Sequence, residues 1–188
     1  MTLGLKDLYY AVITQGADGV EEYGTPKKMA GAMTADLSIT TADGKLYVDD
    51  SLAVTVSEFA NGNLKLGIDD LTPETTAEIL GQAVDKNKVV WAGGDDEPPY
   101  IAVGFRAKKT GGKYKYIWLL KCRAKVPAEK YETKGESINF QTPEIELTIM
   151  RRTKDGNWKA DYVGTPDSDT AKTWFTAVPE KAEDIPAA

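Results

Sequence analysis

Three groups of carboxylates are the first residues whose type and spacing could do chemistry: Asp49-Asp50, Asp69-Asp70 and Asp95-Asp96-Glu97. Paired acids can run glycoside hydrolysis from either side of a scissile bond, or converge on calcium. None of these groups has the one-three-five spacing with a glycine that marks an EF-hand loop. They sit at strand ends or beside Gly93-Gly94 and Pro98-Pro99, where aspartate commonly hydrogen-bonds its own turn, so turn and surface roles are the expectation. No histidine occurs in the 188 residues, which removes Ser-His-Asp and Cys-His mechanisms, histidine general bases and most catalytic zinc sites. The single cysteine, Cys122, cannot form an internal disulfide and fits folding in a reducing cytosol. Gly16 and Gly19, Gly93-Gly94 and Gly111-Gly112 carry neither a phosphate-loop Lys-Ser pair nor a dinucleotide fingerprint, and read as turns. The expectation is therefore a chain that is not an enzyme, without catalytic, cofactor-binding or metal-binding residues.

Two stretches suggest association instead. Lys113, Lys115, Lys121, Arg123 and Lys125 interleave with Tyr114, Tyr116 and Trp118. That mixture is seen in platforms for single-stranded nucleic acid, but the aromatics share a face that reads on into Leu120, Cys122 and Ala124, which is the pattern of a core. Lys121, Arg123 and Lys125 then form an outer basic face, a candidate interface that also discourages wrong edge pairing. The second stretch, Thr41 to Ser51, reads either as a short extra strand or as an arm. In the second reading Leu46, Tyr47, Val48, Asp49 and Asp50 would dock on a neighbour. Charge is uneven along the chain: residues 1–100 carry 7 Lys and Arg against 17 Asp and Glu, whereas 101–188 carry 16 against 12. The segregation is either incidental or the mark of a subunit with complementary faces that meets its copies head to tail.

The elements that must position these residues are mostly strands. Period-two alternation runs through Leu37 and Ile39, Leu52 to Val56, Leu64 to Ile68, Ile101 to Phe105, Lys113 to Val126 and Ile145 to Ile149. Asn61-Gly62 predicts a type I′ hairpin turn and Thr110-Gly111-Gly112 a second hairpin. Asp155-Gly156-Asn157 predicts a turn into a strand from Trp158 to Val163. Thr72-Pro73-Glu74 and Thr165-Pro166-Asp167 each predict a helix start, closed by Gly81 and Pro179. The fold class predicted is mainly β, an antiparallel β-sandwich or barrel with one flanking α-helix and a second, C-terminal helix. Residues 1–180 form one domain and 181–188 a mobile tail. The first residues carry Lys6 and Asp7 and no apolar signal-peptide stretch, and the longest apolar runs are far shorter than the ~20 residues that span a bilayer. A soluble chain with no membrane partner is expected.

The chain also resembles a family. Leu3 to Tyr10, Ala35 to Tyr47 with Asp49-Asp50, Asp95 to Lys109, and Tyr131 to Pro143 through Ile149 to Arg152 occur in an order and spacing similar to the major tail proteins of tailed bacteriophages of Gram-positive hosts, from the first residues to about Trp174. The resemblance implies a tail tube subunit: a virion protein that self-assembles into hexameric rings, stacked into a conduit for genome ejection. A long loop between early strands would bridge neighbours, at the place of Thr41 to Ser51. It implies partners of its own kind, tape measure, tail terminator and distal tail proteins, transient non-specific passage of genomic DNA, no cofactor, and assembly in the host cytoplasm. Some relatives append an immunoglobulin-like domain, which is not expected within these 188 residues. The alternative from a different class is a carbohydrate- or cell-envelope-binding β-sandwich of a phage, for which Trp91, Trp158 and Tyr162 are the candidate aromatic platform.

Overall fold

The computed structural model describes residues 2–48, 51–128 and 142–181, with the backbone alone described at 46–48 and 51–53. The chain is mainly β and antiparallel, with two short helices among the described residues. Nine strands form one sheet: β1 (Thr2–Gln15), β2 (Glu21–Tyr23), β3 (Lys27–Ala30), β4 (Ala32–Val48), β5 (Ser51–Ile68), then β8 (Tyr100–Lys109), β9 (Tyr114–Ala124), β10 (Glu144–Ile149) and β11 (Lys159–Gly164). Between them lie α1 (Pro73–Leu80) and a two-stranded pair, β6 (Ala83–Val84) and β7 (Val90–Trp91). A second helix, α2 (Asp169–Thr173), follows β11. The strand order is β2-β1-β8-β9-β10-β5-β4, with β3 also beside β1 and β11 also beside β9.

The sheet has two buried faces. On one, Leu8, Met29, Leu64, Leu66, Ile101, Val103, Leu119 and Leu147 gather with Ile79 and Leu80 of α1, so that β1 and β3 at one side and β5 at the other close on the same core. On the other, Ala11, Ala102, Tyr116, Trp118 and Leu120 are covered by Ala171, Trp174 and Val178 of the C-terminal segment. The indole N–H of Trp118 donates to the Trp174 carbonyl at 2.8 Å, giving a buried donor the partner it needs.

Two bulges explain how single strands serve both faces. In β9, Ile101 pairs with Cys122 but Val103 with Leu119, so Ala102 stands opposite both Leu120 and Lys121. A bulge shifts the period-two alternation by one residue. Tyr116, Trp118 and Leu120 therefore face the C-terminal segment, while Cys122 and Ala124 face the main core. This corrects the expectation of one continuous face from the aromatics to Ala124. In β1 the register slips between Lys6 and Tyr9, with Asp7 at φ 57°.

Other sequence expectations meet the structure unevenly. The hairpin at Thr110-Gly111-Gly112 forms, with Gly111 and Gly112 at positive φ and the Lys109 N–H bonded to the Lys113 carbonyl at 2.9 Å. Helix α1 starts at the Thr72 cap, whose side chain accepts from the Thr75 N–H, and stops at Gly81 in the left-handed region. Asn61-Gly62, by contrast, is no turn. Strand β5 runs straight through it, pairing Thr40 with Asn61 and Ile39 with Gly62. The reason is a bulge: Thr40 pairs with Asn61 but Thr41 with Phe59, so Ala60 is the extra residue, and the shift in alternation imitates two strands. The second helix is capped at Ser168, not at Thr165-Pro166-Asp167. Those residues form a turn in which the Ser168 N–H bonds the Thr165 carbonyl.

Candidate self-association surfaces

The predicted arm is the far end of the β4–β5 hairpin. Strand β10 pairs with β5 only from Gly62 to Gly67, so beyond Gly62 each of the two strands has only the other as its partner among the described residues. Residues 41–45 and 54–58 are all exposed. Pairing of Ala42 with Glu58 and Gly44 with Val56 puts Ala42, Val54 and Val56 on one face together with Glu58 at its root, Val54 and Val56 being 48% and 49% exposed. Asp43, Lys45, Thr55 and Ser57 line the other. The backbone pairs Leu46 with Val54, Tyr47 with Leu52 and Val48 with Ser51, while Asp49 and Asp50 lie outside the described residues. An isolated two-stranded ribbon is marginal in water, and this one shows solvent an apolar face. Nearer the body, Leu37 and Ile39 of β4 are also part-exposed, but on the opposite face, the one that carries Leu64.

The basic strand is more occupied than its sequence suggests. Lys121 is only 13% exposed; its ammonium ion-pairs with Glu21, lies 3.5 Å from the Thr153 hydroxyl and sits 4.6 Å from the Tyr100 ring centroid. Burial alone would push the Glu21 carboxyl up, but hydrogen bonds from Lys121 and from the Thr153 N–H and hydroxyl outweigh it and hold the group below its usual range. Lys121 is thus an internal brace. Arg123 donates to the Pro98 carbonyl at 2.8 Å and pairs with Glu97 at 3.2 Å, and Lys125 pairs with Glu146 at 3.0 Å. These two remain at the surface, each already beside a carboxylate.

The acid groups that lie within the described residues hold turns. Asp69 accepts from the N–H groups of Gly31 and Asp70, Asp70 from that of Leu71, and Asp96 from that of Gly93. The backbone donors hold the Asp69 carboxyl below its ordinary value. The aromatic residues of the basic stripe are no stacking platform, because Tyr116 and Trp118 are buried under Trp174 and Phe175. Nor do the three candidate glycan-binding aromatics share a surface. Trp158 stacks on Phe59 and packs against the main core, and Tyr162 packs on the opposite face of the sheet against Tyr116 and Trp174. Trp91 stands apart on β7, 63% exposed, with its N–H on Asp85.

Phe59 and Arg151 stand at the root of the ribbon, where neither residue type nor spacing singles them out as a pair. What marks them is the break in alternation at Ala60, beside the Asn61-Gly62 pair that reads as a turn. No helix among the described residues is long and apolar enough to cross a membrane. No protein-family model and no curated protein matches the chain.

Proposed function

We propose that this chain is a structural subunit that associates with its own copies, the tail tube protein of a tailed bacteriophage rather than an enzyme. The observation that carries the reading is the β4–β5 ribbon, whose face bearing Ala42, Val54 and Val56 beside Glu58 has no cover among the described residues. Exposed apolar area of this kind is stabilised by a partner. A neighbouring copy supplies one wherever rings close by contact between unlike faces. In this reading rings, hexameric by resemblance, stack into a conduit through which genomic DNA passes. The tube meets tape measure, terminator and distal tail proteins at its ends, and it is built in the host cytoplasm and ends in the virion tail.

The test is size-exclusion chromatography with negative-stain microscopy, on the wild type and on a variant in which an Asn-Gly turn replaces residues 43–57, joining the paired Ala42 and Glu58. Rings or tubes from the wild type, and a folded monomer from the variant, are the expected pair of results. A wild type that stays monomeric at every concentration, or a variant that still makes tubes, sinks the reading.

A further inference from the structure

We infer that Phe59, Trp158 and Arg151 form a clamp that fixes the direction in which the β4–β5 ribbon leaves the body, which makes them positioning residues for assembly. The second half of that statement rests on the proposed function; the clamp itself does not.

The need for a clamp follows from where the sheet stops. Strand β10 ends with Ile149 opposite Gly62, and the next rung along would face Ala60, the bulged residue. A bulge bends its strand and raises the local twist, and among the described residues the two-stranded ribbon beyond it has no third strand to resist swinging. The root below is tight: a Cβ on Gly62 would lie 2.9 Å from Ile39 Cδ1 and 3.2 Å from Ile149 Cδ1. The first residue above the bulge is Phe59, which is drawn onto the body. Its ring stacks on Trp158 with centroids 4.7 Å apart and planes within 7°. Arg151 donates from Nη2 to the Phe59 carbonyl at 2.5 Å, so that a side chain stands in for the ladder bond β10 no longer supplies. The same guanidinium lies 5.8 Å from the Phe59 centroid and 3.9 Å from the Glu58 carboxylate, and Lys159 lies 5.3 Å from the Trp158 centroid. Offset ring pairs and cations over rings favour one relative orientation beyond the area they bury. Three kinds of contact converge on one residue of the ribbon, immediately past its bend, and all of them come from the segment 151–159 of the body.

The experiment measures direction apart from assembly. Spin labels on cysteines introduced by Lys45→Cys on the ribbon and Lys172→Cys on α2, both exposed sites, leave the buried Cys122 unlabelled. Pulsed dipolar distances on the monomer should be narrow in the otherwise wild-type chain and clearly broader in Phe59→Ala and Trp158→Ala. Phe59→Tyr should restore the narrow distribution, which a general loss of stability would not allow. Where an alanine variant loses its cooperative melt, Arg151→Gln is read in its place. It removes a surface cation and the carbonyl bond, leaves both rings, and should broaden the distribution to a lesser degree. In unlabelled protein Phe59→Ala should raise the concentration needed for assembly by roughly tenfold. Unchanged distance distributions in Trp158→Ala and Arg151→Gln would overturn the clamp. Broadened distributions in a chain whose wild type never assembles would uphold the clamp and remove the tube.

Discussion

Arg152 is the most deeply buried charge among the described residues, 3% exposed, and it ties three parts of the chain together. It donates to both Asp155 carboxylate oxygens at 2.7 and 2.5 Å and reaches Pro179 and Glu180 of the C-terminal segment at 3.4 and 3.5 Å. The Arg152 bonds, against some cost from burial, and those from Asn157 hold the Asp155 carboxyl well below the usual carboxylate range. A group whose pKa is depressed by folding adds stability above its unfolded value, near 4, and loses it as pH falls toward the folded value. The chain has no histidine, and burial pushes Cys122 upward, away from neutrality. The melting temperature of the monomer should therefore be flat from about pH 5.5 to 8 and fall below about pH 4. Asp155→Asn should melt lower at neutral pH and converge on the wild type in acid; parallel curves in thermal scans would refute the assignment. Lys121 and Lys125 differ in the same terms. Lys121→Met strands Glu21, itself mostly buried, and should cost about 3 kcal/mol, read in urea unfolding. Lys125→Met releases an exposed Glu146 and should leave stability where it is. Equal melts for the two variants would mean that Lys121 braces nothing.

At the scale of elements, β9 and β8 show how close packing restricts sequence. Trp118 registers against Gly104 across the pair, and a Cβ there would meet the indole carbons at 2.7 to 2.8 Å. The indole is fully buried and bonded to Trp174, so it has little room to move. Gly104→Ala should cost about 1–3 kcal/mol by overpacking. Gly94→Ala, with nothing within 4 Å of the new atom, is the control that should leave unfolding by denaturant unchanged. The sequence announces some of these elements and hides others, for a physical reason. Thr72-Pro73 and Gly81 around α1, or Gly111-Gly112 between β8 and β9, are local devices whose geometry is set within three or four residues, so they can be read without the rest of the chain. Bulges are set by the partner strand. At Ala60, at Leu120-Lys121 and at Asp7 the alternation slips by one, and period counting then cuts β5 in two, gives β9 one face instead of two and leaves β1 undetected. The apolar alternation at Val54 and Val56 was legible as a strand but not as a strand without a core beneath it, because burial is a property of the neighbours. The basic face was legible as charge, whereas the distant Glu21 that holds Lys121 was not.

For the molecule as a whole, the same burial decides how it treats nucleic acid. In the proposed conduit a duplex must slide past many subunits, and every phosphate neutralised by a lysine or arginine adds affinity that opposes sliding. The chain carries a net charge of −6. Lys121, Lys125, Arg151 and Arg152 stand within 4 Å of carboxylates, which weakens any field they could offer to phosphate. Binding to single strands without sequence preference needs open aromatic faces, and here Tyr116 and Trp118 lie under the C-terminal segment. Free subunits mixed with duplex or single-stranded DNA at physiological salt should therefore show only weak association without sequence preference, read by fluorescence anisotropy of labelled oligonucleotides across a salt series. The Asp155→Asn and Arg152→Met variants sharpen the test, because loosening the C-terminal segment should uncover the aromatic face and raise affinity for single strands ahead of duplex. Submicromolar retention of DNA by the wild type, or a sequence-specific shift, would contradict a passive conduit and return the stripe from Lys113 to Lys125 to consideration as a binding face.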